Sequence, residues 1–253
     1  ADLILAVTAG EEVDMAGARL MAAGEVLAGT ASLVIGEPTG LAVYRAEKGV
    51  FWVRVTAHGR TAHGSMPQLG VNAISFMARL IPRLEAYPFA FVESEILGKP
   101  TLSVNTIAGG VKTNVVADRC AIEIDMRLVP GQTPDDVLQL LQAIIDEVAA
   151  DPQVRTTVEI LQDVPPVETP ASDRLVEVAL EAARNAGSAA PDAGGVSFGT
   201  DGAILALALG ASMVIFGPGG LDQLHQPNEY VEIAQLHLAV EAYKQIARRM
   251  LTA

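Results

Sequence analysis

The chain has 253 residues, half of them apolar, 19% charged and only 4% aromatic. This composition excludes disorder as the main state and requires an aliphatic core, in one large domain or two ordinary ones. The net charge of −13 repels phosphate backbones and speaks against a nucleic-acid partner. The single cysteine, Cys120, excludes an internal disulfide and a cysteine-cluster zinc site, and it fits a reducing, cytoplasmic setting.

The chain opens on Leu3 to Thr8, an apolar run that reads as a strand buried on both faces of a parallel sheet. It has no starting Met and no basic leader, so it reads as beginning inside a domain. A helix is expected over Met15 to Ala23 and a second short strand at Leu33 to Ile35, which together form a βαβ unit. After Gly49 the pattern changes. Phe51, Val53 and Val55 alternate with Trp52, Arg54 and Thr56, predicting a strand covered on one face. A helix from Asn72 to Leu84, kinked late by Pro82, precedes a strand at Leu102 to Ile107. Ile122, Ile124, Met126 and Leu128 line one face of another strand.

Thr133 as N-cap and Pro134 at the first helical position start a helix. Val137, Leu140, Leu141, Ile144, Ile145 and Val148 form its apolar stripe. Val154 to Leu161 is again strand. The order β-α-β-β-α-β matches a ferredoxin-like module. Helices near Asp173–Ala186 and Asp201–Leu209, a buried strand at Ser212 to Phe216 and a helix from Glu232 to Leu251 resume the α/β pattern. The longest apolar stretch, Ala203 to Phe216, is too short to cross a membrane and is broken by Gly210 and Ser212. The expected architecture is an α/β domain, residues 1–47 and 165–253, interrupted by an inserted α+β domain, residues 48–164.

Chemistry concentrates at strand ends. Glu11 and Glu12 follow the first expected strand, Glu37 follows the second, and His225 follows the last buried strand. A parallel sheet gathers its ligands at the carboxyl ends of its strands, and carboxylates with imidazole are ordinary zinc ligands. Read singly, each is equally a solvated surface charge. His63 lies in a polar loop and is either solvated or an oxyanion donor. Arg127 suits a carboxylate ligand, or else an ion pair with Asp125 or Glu123. His237 and Cys120 read as structural.

Several stretches together resemble a known family. They are Thr8-Ala9-Gly10-Glu11-Glu12, Gly36-Glu37-Pro38, His58 through Pro67 with Asn72-Ala73-Ile74, and Gly109 through Asn114. Asp125-Met126-Arg127, Gly199-Thr200-Asp201, and Gly217 through Glu229 complete the set. In this order they resemble the two-metal amidohydrolases that include acetylornithine deacetylase, succinyl-diaminopimelate desuccinylase, aminoacylase and carboxypeptidase G. The final motif is most similar to the deacetylase branch.

The resemblance implies a zinc-peptidase-like catalytic domain with a ferredoxin-like lid and dimerisation domain. It implies Glu11 as general base, Glu12 and His225 as ligands of one metal, and Glu37 as ligand of the other. His63 would steady the oxyanion from the lid. Asn114, Arg127, Thr200 and Gly219 would hold the substrate. The cofactors implied are two divalent ions, zinc first, with cobalt or manganese as alternatives. The substrate is an N-acyl amino acid or small peptide, and the assembly is a homodimer without nucleic-acid or membrane partners.

The family's His-x-Asp stretch and bridging Asp, both upstream of the Glu-Glu pair, have no counterpart among the ten residues before Glu11. The expectation is that this chain alone binds zinc weakly and is inactive. Ala203 stands where desuccinylases carry Arg, which disfavours a diaminopimelate substrate. The alternatives are a non-catalytic member acting through lid-mediated dimerisation and a plain α/β binding protein without metal.

Overall fold

The computed structural model describes residues 2–86, 91–149 and 153–252. The chain divides into two compact units. One comprises Ala1–Lys48, Ser94–Gly98 and Pro166–Ala253, and the other Gly49–Glu93 and Lys99–Pro165.

The Gly49–Pro165 unit follows the expected β-α-β-β-α-β order. Its strands are β3 (Gly49–His58), β4 (Thr101–Gly109), β5 (Arg119–Leu128) and β6 (Arg155–Val164). They form one antiparallel sheet in the order β4-β5-β3-β6. Period-two alternation sends Phe51, Val53, Val55 and Ala57 of β3, with Cys120, Ile122, Ile124, Met126 and Leu128 of β5, to one face. Two helices cover that face, α2 (Ala73–Glu85) and α3 (Pro134–Val148).

Asn72 starts α2 by accepting hydrogen bonds from the amides of Ile74 and Ser75 at 3.0 and 3.1 Å. The helix runs on through Pro82 and buries Phe76, Met77, Leu80 and Leu84. Thr133 caps α3 by accepting from the Asp136 amide at 3.2 Å, with Pro134 at the first position. Each fully buried large side chain here contributes about 1.5–3 kcal/mol. The opposite face is polar, with Arg54 bonded to Glu123 on β5 and Glu159 on β6.

The other unit is built from short strands, which in chain order are β1 (Ser32–Ile35), β2 (Tyr44–Glu47), β7 (Val167–Glu168), β8 (Gly194–Val196) and β9 (Ser212–Ile215). The sheet is mixed. β1 pairs parallel with β9 and β2 parallel with β8, but β2 runs antiparallel to β9 and to β7. The expected all-parallel sheet is therefore corrected. The reversal happens in the turn at Thr39–Leu41. There Gly40 and Leu41, both at positive φ, donate backbone hydrogen bonds to the carbonyls of Gly219 and Gly217.

The helices of this unit are α1 (Ala16–Ala23), α4 (Arg174–Asn185), α5 (Asp201–Leu209) and α6 (Ile233–Leu251). Its core joins Leu41, Val43, Val176, Ala179, Phe216 and Ala242. The Tyr243 hydroxyl of α6 donates to the Phe216 carbonyl at 2.6 Å, and the two rings meet edge to face.

Two further expectations are corrected. Residues Leu3 to Thr8 form no strand, and Leu5 is 89% exposed. The run has the composition of a buried strand, but no strand among the described residues pairs with it, and an unpaired backbone cannot enter a core. His237 is exposed on α6 and not part of the core. The two-residue to four-residue strands β2, β7 and β8 escaped sequence reading, because so few residues show no period.

Candidate metal centre

The acidic residues of the site stand on loops of one unit. Glu11 and Glu12 occupy a turn closed by the Gly10 carbonyl, which accepts from the amides of Val13, Asp14 and Met15 at 3.1, 3.0 and 2.7 Å. Gly10 has φ +84, and a Cβ there would sit 2.9 Å from Asp14 Oδ1, so the turn requires glycine. Glu37 leaves the end of β1. His225 follows the short 3-10 turn Leu221–Gln223 and has φ +58, with its amide donating to Glu229 at 3.2 Å.

The side chains sense one another. His225 Nε2 lies 3.8 Å from Glu12 Oε2, and both groups are open to solvent. Glu37 is pushed up to about 7, first by burial and then by the charges of Glu11, Glu12 and Asp201. Glu11 is raised by burial, Glu12 and Asp201, and drawn back by His225. Like charges held this close are stabilised by a proton or a cation.

A fourth acid, Asp201, joins them from the first turn of α5. It is 7% exposed and accepts a hydrogen bond from the Thr8 hydroxyl, while its Oδ1 has no partner among the described residues. Behind it lies a fifth acid, Glu47, at the end of β2. Burial pushes its carboxyl up to about 8, against the pull of the Thr200 hydroxyl, which donates to it at 2.8 Å.

The donor chemistry suits divalent cations: carboxylates, an imidazole, and mutual repulsion that a cation relieves. The number of donors is short. Among the described residues no group of three or more His, Cys, Asp or Glu is arranged to hold a metal ion. Glu12 and His225 form a pair, and Glu37 stands within electrostatic reach of them.

Thr200 and Gly219, expected at the substrate, are both engaged within the protein. Thr200 is 1% exposed, and its hydroxyl both donates to Glu47 and accepts from the Gly202 amide at 3.0 Å. It caps α5 and faces Glu47. Gly219 donates its amide to Gln235 at 2.8 Å and accepts from Gly40 at 2.5 Å, so it ties loops together.

The remaining expected residues belong to the other unit. His63 Nδ1 accepts from the Ser65 amide at 3.2 Å and lies 2.8 Å from the Ser65 hydroxyl. With Nδ1 used as an acceptor, the neutral ring carries its proton on Nε2. Asn114 is brought beside it, since the Gly64 amide donates to the Asn114 carbonyl at 2.8 Å. Arg127 is engaged with a neighbouring carboxylate. Its guanidinium holds Asp125 with two bonds of 2.8 and 2.9 Å, the ion-pair alternative of the two read from sequence.

Sequence reasoning assigned no role to Thr8, Asp201 or Glu47. Thr8 and Asp201 stood inside quoted motifs and were within reach. Glu47 carried no signal, because only the fold reveals its burial.

The fold is similar to that of solved peptidases. It matches the aminopeptidase PepT of Bacillus cereus with a TM-score of 0.74 at 24% identity, over 94% of this chain and 62% of that one. It matches the YXEP protein of Bacillus subtilis, a dinuclear metal-binding peptidase, with a TM-score of 0.73 at 18% identity, over 96% and 63%. Residues 45–152 match the peptidase dimerisation domain. In sequence the chain is 34% identical to the acetylornithine deacetylase of Myxococcus xanthus over 243 residues, 93% of this chain and 62% of that protein. It is 33% identical to that of Klebsiella pneumoniae over 91% of this chain and 59% of that protein. The chain is thus similar to acetylornithine deacetylases along most of its length, and to the peptidase dimerisation domain over residues 45–152. It spans about three fifths of the length of these curated relatives.

Proposed function

We propose that this chain is part of a metal-dependent hydrolase that cleaves the amide bond of an N-acyl amino acid or small peptide. The observation that carries the reading is the Glu12–His225 pair, with Glu11 and Glu37 near enough that the acidic charges raise the affinity of both for protons. The kinship with acetylornithine deacetylases supports the same chemistry.

Glu12 with His225, and Glu37 from the next strand end, would hold two divalent cations. When bound, such a pair supplies Lewis acidity to the amide carbonyl and to water. Glu11 is the base that takes a proton and returns it to the leaving amine, and its raised affinity for protons suits that task. His63, locked by Ser65 with its proton on Nε2, is assigned the oxyanion-donor role, and Asn114 beside it the substrate-carboxylate role. The dimerisation module would pair with its twin through the exposed edge strand β4. Three donors fall short of two complete cation sites, so a polypeptide restricted to these 253 residues is expected to bind zinc weakly.

The test uses a protein carrying the full length of its relatives. Glu11→Gln is expected to keep zinc and to lower hydrolysis of N-acetyl amino acids by about 10²–10⁴-fold. His225→Ala is expected to lose zinc. Unchanged zinc content in His225→Ala would overturn the reading and favour a binding protein without metal.

A further inference from the structure

The loop bearing Glu11 and Glu12 poses a problem of support. Residues 2–14 contain no strand or helix, and most of them are exposed. Yet a general base and a metal ligand must be held to within a fraction of an ångström. Besides the exposed His225–Glu12 pair, two hydrogen bonds tie the part of this stretch before Glu11 to helices. One is backbone to backbone, from the Gly17 amide to the Ala9 carbonyl at 2.9 Å. The other is between side chains, from the Thr8 hydroxyl to Asp201, across 193 positions of sequence.

Asp201 is itself held. It opens α5, whose N-cap Thr200 accepts from the Gly202 amide and donates to the buried Glu47. Glu47 belongs to β2, which pairs with β7 and β8 on either side. The path Glu47, Thr200, Asp201, Thr8 thus joins the sheet to the loop three residues before Glu11. Gly202 leaves no room for variation, because a Cβ there would lie 2.7 Å from Ile35 and 2.9 Å from the Thr200 hydroxyl. The electrostatics agree with this placement, since the Asp201 charge is felt by both Glu11 and Glu37.

We propose that Asp201 and Thr8 are positioning residues, a half-buried clasp that fixes the Glu11–Glu12 loop on the N-terminus of α5 and so sets the affinity of the site for its cation. The role of the cation rests on the functional reading above, whereas the clasp itself does not. Partners that orient ligands from behind typically contribute about 10–100-fold in metal affinity.

The experiment compares wild type with Thr8→Val, Thr8→Ser, Asp201→Ala and the double variant Thr8→Val/Asp201→Ala. Two quantities are read: hydrogen exchange at the amides of Val13, Asp14, Met15 and Gly17, and zinc affinity by chelator competition. Thr8→Val and Asp201→Ala are expected to speed exchange at these four amides about ten-fold or more. Exchange in β9 should not change, and zinc affinity should fall about 10–100-fold. The double variant should be no worse than either single one, and Thr8→Ser, which keeps the hydroxyl, should restore both readings.

Unchanged exchange at the four amides in Thr8→Val overturns the proposal. So do effects of the two single substitutions that simply add. Should Asp201→Ala fail to fold, the Thr8 pair still decides, because Thr8 lies outside the core. If the wild type, carrying the full length of its relatives, binds no zinc, the metal reading fails, and exchange alone judges the clasp.

Discussion

The two units of this chain are held together in different ways. In the ferredoxin-like unit, three strands of ten residues and one of nine pair along their length under two amphipathic helices. In the other unit no strand among the described residues exceeds four residues, and loop hydrogen bonds act beside a small apolar core. The contrast teaches where function sits. Regular pairing builds a platform by repetition, whereas the acidic cluster needs loops that only long-range bonds can hold.

The most severe way to test this contrast is to damage the regular unit's core. Phe76 on α2 is fully buried, and Phe76→Ala is expected to cost about 3–5 kcal/mol in urea denaturation. A loss under about 1 kcal/mol would mean that this core is not close-packed.

The next effect concerns the irregular unit and depends on pH. Folding raises the Glu47 carboxyl from its ordinary value of 4.5 to about 8. The folded state therefore keeps a proton that the unfolded chain releases. The stability this contributes is complete below pH 4.5 and is lost as pH climbs to about 8. Each unit of difference corresponds to about 1.4 kcal/mol. Glu47→Gln keeps an acceptor for Thr200 and is expected to flatten the decline of stability across that window. An identical slope in the variant would show that Glu47 stays ionised in the fold.

A smaller effect is expected at the start of α2. Asn72→Ala removes a cap that accepts two amides, and should lower stability by about 1 kcal/mol. Smallest of all is Arg54→Ala on the solvent face of the sheet. Despite its two carboxylate partners, the thermal midpoint should not move beyond experimental scatter. A clear drop would mean that the polar face contributes to the platform as the apolar one does.

The legible and illegible parts of the molecule divide along the same line. The module from β3 to β6 could be read element by element, including the cap at Thr133, because a single strand or helix displays its period and its capping residues locally. Glu11, Glu12, Glu37 and His225 were legible as candidates because the chemistry of strand ends and the ordered motifs both point to them. Leu3 to Thr8 was misread because apolar composition announces burial without saying what does the burying. Arg127 stayed ambiguous between a substrate and Asp125, its neighbour two residues away on the same strand, whereas the geometry shows Nε and Nη2 bonded to Asp125.

By itself, then, the amino-acid sequence determined the periodic elements, their order, the family resemblance and the identity of the acids. Those depend on patterns within a few residues of one another or on motifs in series. Only the tertiary structure decided that Thr200 faces inward, that Asp201 takes the Thr8 hydroxyl, and that Glu47 is sealed from water. These follow from contacts spanning 153 and 193 positions, where burial and hydrogen-bond partners are set by packing and leave no trace in local pattern.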